Sequence, residues 1–123
     1  MSKTKRKTLV VQGVEIQIIE TKKEDFISIT DIAKNFGESK IVVQNWMWAR
    51  GTLDFLGVWE QMHNSNFKGI EFDAFKMESG SNTFSMSPTK WIKGVNAIGL
   101  QTKAGRYGGG TFAHKDIALE FCS

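Results

Sequence analysis

The sequence predicts a small α+β domain, and three observations predict it. Val14-Glu-Ile-Gln-Ile18 alternates apolar and polar residues with a period of two, the pattern of a half-buried strand. Ser87-Pro88 followed by Trp91, Ile92 and Val95 reads as a capped amphipathic helix, with the chain's only proline at the first helical position. Two short β-prone runs, Leu100–Thr102 and Thr111–Ala113, flank a glycine-rich stretch and read as a late hairpin. A length of 123 residues suits one domain, and 41% hydrophobic residues suffice for a core.

From the N-terminus, residues 1–7 read as a disordered basic arm, and residues 8–123 as the folded domain. Thr8–Val11 and Val14–Ile18 form a β-hairpin across Gln12-Gly13. Phe26–Ile29 is a third strand. Thr30 or Ser28 caps a helix over Asp31–Phe36, with Asp31 in its first turn and Gly37 as its stop. Ser39 starts the next helix, with Val42, Trp46 and Ala49 as its apolar stripe and Gly51 as its end. Thr52 caps a third helix whose apolar side holds Phe55, Leu56, Trp59 and Met62, broken by Asn64-Ser-Asn66. Phe67–Lys76 fits a short helix or a strand, and the spacing of Phe72 and Phe75 favours the helix. Thr83–Met86 reads as a strand. The Ser87 helix ends at Gly99, and a last helix runs from near His114 through Phe121.

Charge is segregated along this outline. Residues 1–7 carry four cations and no acid; residues 54–78 carry two cations and five acids. Residues 90–115 hold Lys90, Lys93, Lys103, Arg106 and Lys115 with no acid. Within that segment, Lys103–Lys115 packs four glycines, three cations, one His and the only Tyr into thirteen residues. Glycine leaves backbone uncovered and the cations attract a negative surface, so the loop suits phosphates. A solvated glycine-rich hairpin has the same composition. Two successive helices, then a helix leading into a hairpin with a basic tip, outline a winged-helix-like DNA binder. In such folds a helix enters the major groove and the wing touches the backbone or minor groove.

Several classes fall away. Gly108-Gly-Gly110 lacks the Lys-Ser/Thr of a phosphate-binding P-loop. One Cys and two distant His do not make a usual zinc site. Cys122 is the single cysteine, which excludes an intramolecular disulfide and suits a reducing cytoplasm. No apolar run is long enough for a membrane span. No cofactor is expected.

The chain resembles the KilA-N domain family. The resemblance rests on Ile29-Thr-Asp-Ile-Ala-Lys34; Gln44-Asn-Trp46, Arg50, Thr52, Phe55-Leu56 and Trp59-Glu60; Lys90-Trp-Ile92; and Ala104-Gly-Arg-Tyr-Gly with Thr111-Phe-Ala-His-Lys-Asp-Ile-Ala118. It covers roughly residues 9–122, with an extra glycine and Phe112 where the family often has Tyr. It implies a DNA-binding domain similar to fungal APSES domains, with a helix-turn-helix and a wing. It implies a phage or prophage regulator, and a domain truncated within its last helix.

Candidate DNA contacts follow. Lys103, Arg106 and Lys115 can grip phosphate, and Tyr107 can stack or hydrogen-bond; Arg106 and Tyr107 could instead brace the hairpin. His114 and Lys115 sit at a helix N-terminus suited to phosphate, although His114 also fits a cap or a core position. Lys40, Gln44, Asn45 and Arg50 on the Ser39 helix can read bases or hold phosphate. The Ser87 helix, with Thr89, Lys90 and Lys93 off its core stripe, is a rival recognition element. Trp46, Trp59 and Trp91 are core candidates, while Trp48 and the acidic stretch 54–78 could dock a protein. The leading expectation is non-catalytic binding of double-stranded DNA. The alternative is an anti-repressor-type module that seizes another regulator, and a metal-dependent nuclease using carboxylates of 54–78 is the third reading.

Overall fold

The computed structural model describes residues 5–21, 24–81, 83–104 and 109–122, with Lys5 and Arg50 as backbone only. It opens with the expected hairpin, β1 (Lys5–Val11) and β2 (Val14–Glu20). Gln12 and Gly13 have φ of 53° and 81°, the two positive values that a type I′ turn needs to match strand twist. The ladder runs from Val11↔Val14 down to Lys5↔Glu20. Lys5–Lys7 therefore belong to the sheet and not to a disordered arm. Lys7 Nζ lies 2.9 Å from Glu20, and the Arg6 guanidinium sits 5.6 Å from the Phe112 ring centre. Both attachments are cross-strand, so the basic run alone could not announce them.

β3 (Asp25–Ser28) pairs with β2, and the chain turns directly into α1 (Ile29–Ala33). Ser28 Oγ accepts from Asp31 N at 3.1 Å, which starts the helix earlier than Asp31. The N–H groups of Lys34, Asn35 and Phe36 donate to carbonyls three residues back, so the chain tightens into turns instead of continuing to Phe36. α2 (Ser39–Trp48) is capped by Glu38, whose carboxylate accepts from Lys40 N and Ile41 N. Its buried stripe is Val43 and Met47, one residue around from the expected Val42–Trp46–Ala49. Val42 and Trp46 flank the core half-buried, and Trp46 meets Phe121 edge-on at 5.0 Å.

α3 (Arg50–His63) follows immediately after Ala49, so Gly51 lies inside a helix and Thr52 is buried in its first turn without capping it. Leu53, Leu56 and Trp59 face the core, whereas Met62 is 73% exposed. α4 (Gly69–Glu78) confirms the helical choice for the Phe72 region. Phe72 packs into space that only a glycine leaves: a Cβ on Gly57 would stand 2.1 Å from its ring. Residues 83–87 form no strand. Met86 is buried and its carbonyl accepts from Trp48 Nε1 at 3.1 Å, so a side chain holds this segment in place of a neighbouring strand. α5 (Pro88–Val95) starts as expected, with Ser87 Oγ accepting from Lys90 N. It stops at Asn96, not Gly99, because Asn96 takes the left-handed conformation at φ 58°.

β4 (Leu100–Lys103), β5 (Gly110–His114) and α6 (Lys115–Cys122) complete the chain. The described residues form a five-stranded antiparallel sheet in the order β1-β2-β3-β5-β4. Helices cover one face, burying Ile29, Met47, Leu56, Trp91, Leu100, Ala113 and Ile117 together. Each large apolar side chain so buried contributes about 1.5–3 kcal/mol. Ile19, Phe26 and Phe112 form a smaller cluster from alternate positions on the other face. Among the described residues, no helix is long and apolar enough to cross a membrane.

Candidate nucleic-acid interface

β4 and β5 pair as the expected late hairpin, and Lys103↔Gly110 is the last pair of the described ladder. Arg106 and Tyr107 lie outside the described residues, as does the side chain of Arg50. The base of the hairpin is held by α1. Thr111 N donates to Thr30 Oγ1 at 2.8 Å. Gly110 has φ 131°, and a Cβ there would stand 2.8 Å from Thr30 Oγ1. This position needs glycine both for its backbone angle and for the close approach.

Beside this base three elements converge. The first turns of α2 bring Ser39, Lys40 and Gln44; the start of α5 brings Ser87, Pro88 and Thr89; the hairpin brings Thr102, Gly110 and Thr111. Together with Thr30 they line a cleft of about 290 Å³. Lys40 and Gln44 are one helical turn apart and so share a face. Lys103 is exposed next to the cleft on β4. The lining is rich in hydroxyls, which donate to phosphate oxygens.

The two helix starts differ. The Glu38 carboxylate already fills the first amides of α2. α5 is capped by the neutral Ser87 hydroxyl, which leaves the positive end of its dipole unneutralised. An anion therefore meets less repulsion at α5 than at α2.

The remaining cations are dispersed. Lys93 is exposed one turn along α5 from Thr89. Asn45 is exposed on α2 but is not part of the cleft wall. Lys90 is turned toward the α4 side: its Nζ donates to Ser85 O at 3.0 Å and lies 5.6 Å from the Phe75 ring centre. His114 and Lys115 stand at the other end of β5, about 13 Å beyond Gly110 at the usual strand rise. His114 is 2% exposed. Its Nδ1 accepts from Asp116 N, its Nε2 lies 3.1 Å from Glu24, and its ring packs 4.9 Å from Trp59. That ring is enclosed by protein and out of reach of an external partner. Lys115 is exposed, on a different part of the surface from Lys103.

Sequence reasoning missed two groups. One is the set of cleft hydroxyls, which carry no motif and are gathered only by folding. The other is Glu60, which is 1% exposed. Its carboxylate accepts from Ile98 N, from Gly99 N at 2.7 Å and from Asn64 Nδ2 at 2.8 Å, pinning α3 to the turn before β4. Within an acidic stretch it reads as a solvated charge. Asp54 in the same stretch is paired with Lys76 at 2.7 Å. Among the described residues no three His, Cys, Asp or Glu side chains are grouped to hold a metal ion.

The family model of the KilA-N domain matches residues 10–123, nearly the whole chain, and the chain belongs to that family. The family is one of DNA-binding domains. No curated protein and no solved structure matches the chain.

Proposed function

We propose that this chain, a KilA-N domain, binds double-stranded DNA without catalysis, in the manner of a winged helix, and serves a phage or prophage regulator in the cytoplasm. The observation that carries the reading is the convergence of α2, the start of α5 and the hairpin base on one hydroxyl-lined cleft. In this reading Lys103, Lys93 and, from the glycine-rich segment, Arg106 and Tyr107 hold phosphates, helped by Thr89 at the α5 start, where no acid offsets the helix dipole. Lys40, Gln44 and Asn45 on α2 face the base edges: Gln and Asn suit adenine, Lys suits guanine. His114 is excluded by burial, and Lys115 and Lys90 lie off the contact surface. Arg50 starts the helix after α2 and adds a backbone contact.

The test is fluorescence-anisotropy titration of duplex DNA across a salt series. Each phosphate contact contributes about −0.9 to the slope of log K against log salt. Lys93→Ala/Lys103→Ala is expected to flatten the slope by about 1.8 and weaken binding for every sequence tested. Tight binding with an unchanged slope would refute this placement.

A second reading rests on one observation. Ile70 and Met77 are each 84% exposed on α4, beside Glu71, Asp73 and Glu78. An acidic helix with an unpartnered apolar stripe suits a protein partner of the anti-repressor kind. Retention of a basic protein partner by the Lys93→Ala/Lys103→Ala variant, with DNA binding absent from the wild type, would favour it.

A further inference from the structure

α4 is apolar on two opposite faces. At about 3.6 residues per turn, Phe72 and Phe75 fall on one side, and Ile70, Ala74 and Met77 fall on the other. The inner face is locked. Phe72 packs over Gly57 and meets Trp91 edge-on at 5.9 Å. Phe75 packs over Gly94, where a Cβ would stand 2.5 Å from its ring. The outer face is open. Ile70 and Met77 are the most exposed large apolar side chains among the described residues, and Ala74 is exposed between them. A helix that is apolar on both sides is normally covered on both. The rest of the chain covers only one.

α3 extends this face. Asp54 reaches Lys76 and Gly57 underlies Phe72, so that side of α3 is turned to α4. Val58, one turn along from Asp54, borders the seam between the two helices and is exposed, as is Met62 one turn further. The charges around the stripe have one sign. Asp73 lies on one flank and Glu71 with Glu78 on the other, all exposed. Lys76, the one cation within α4, turns away from the stripe to Asp54 at 2.7 Å, with its ammonium 5.7 Å from the Phe72 ring centre. Among the described residues no cation pairs with Glu71, Asp73 or Glu78.

This charge selects the partner. Nucleic acid and an anionic bilayer are repelled by the face, and the same face of a second copy would set acid against acid. A helix with an apolar stripe between two rows of Lys or Arg complements it: its apolar side chains meet the stripe and its cations meet the acids on both flanks. We propose that the outer face of α4, with Val58 and Met62 of α3, docks a basic amphipathic helix of another protein. The proposal rests on the reading of α4 as a protein-docking helix and adds the sign and shape of what docks there. It does not depend on DNA binding, since no residue lining the cleft belongs to α3 or α4.

The test uses fluorescent synthetic peptides of about 18 residues, long enough to form a helix on contact. The first carries leucines on one face and lysines on both flanks. The second has glutamates in place of the lysines. The third keeps the composition of the first in an order without a helical stripe. Anisotropy titration with the full chain is expected to give a Kd of about 1–100 μM for the first peptide and binding at least about 10-fold weaker for the others. Ile70→Ser/Met77→Ser is expected to weaken the first peptide about 10-fold or more. Glu71→Gln/Asp73→Asn/Glu78→Gln is expected to weaken it about 5-fold and to remove most of its salt dependence. All five positions are exposed, so the circular dichroism spectra are expected to stay unchanged. Failure of the first peptide to bind would overturn both the proposal and the docking-helix reading. Equal binding of the lysine and glutamate peptides would overturn the proposal alone and leave α4 a docking helix without charge preference. Equal binding of the third peptide, or indifference to either set of substitutions, would mean that the α4 stripe and its acids do not select the partner, and would also overturn the proposal.

Discussion

The two ends of the β4–β5 hairpin are built from similar residue types and end in opposite states. At the tip end, Lys103 pairs with Gly110, Thr111 leans on Thr30, and a cleft remains between the hairpin, α2 and α5. At the root end, His114 N donates to Gly99 O at 2.9 Å and the surrounding space is filled. A Cβ on Gly99 would stand 2.5 Å from Ile117 and 2.8 Å from Trp59. Glu60 occupies the nearby amides, and His114 is boxed by Trp59, Glu24 and Asp116. A polar group at the root therefore holds the fold, and one at the tip end is available to a partner. The difference also divides the basic segment: Lys103 and Lys115 belong to separate surfaces although one acid-free segment joins them.

The sharpest way to break this contrast is at the root. Glu60→Ala leaves Ile98 N, Gly99 N and Asn64 Nδ2 without their charged acceptor. It is expected to cost about 3 kcal/mol of stability, read from the urea midpoint. A cost under about 1 kcal/mol would mean that water replaces the carboxylate and the root is not closed.

At the open end, Gly110→Ala meets Thr30 and forces a residue with a Cβ to φ 131°. The expected cost is about 1–3 kcal/mol, with the helical circular dichroism retained below the transition. A neutral result would show that the hairpin base can move away from α1.

The smallest effect separates the two surfaces directly. Lys115→Ala is expected to change stability by less than about 0.5 kcal/mol. It should also leave the DNA salt slope unchanged, whereas Lys103→Ala alone should reduce its magnitude by about 0.9. Equal loss in both variants would require DNA to contact both ends of the hairpin.

Much of the framework was legible because its signals are local. The Val14–Ile18 alternation, the Gln12-Gly13 turn and the Ser87-Pro88 start all act within a few residues, and each element formed where it was expected. The α2 stripe was misjudged by one position because Val42, Val43, Trp46 and Met47 are all apolar, and only the neighbours choose which pair turns inward. His114 sits between Ala113 and Lys115, a setting that suits a phosphate contact as well as a core. Its enclosure depends on Trp59, from a distant helix. Glu60 is read as solvated for the same reason: its donors Ile98 and Gly99 lie far along the chain.

The sequence by itself determined the α+β class, most strands and helix starts, the segregation of charge and membership in the KilA-N family. These rest on periodicity, capping and motif, which are interactions between near neighbours in the chain. Tertiary structure alone decided that Lys40, Gln44, Thr89 and the hairpin base share one cleft, that Lys90 braces the 84–87 segment, and that His114 and Glu60 are internal. Those outcomes depend on strand register and helix rotation. Both are set by which distant apolar surfaces bury each other, and a shift of one residue moves a side chain from partner to core.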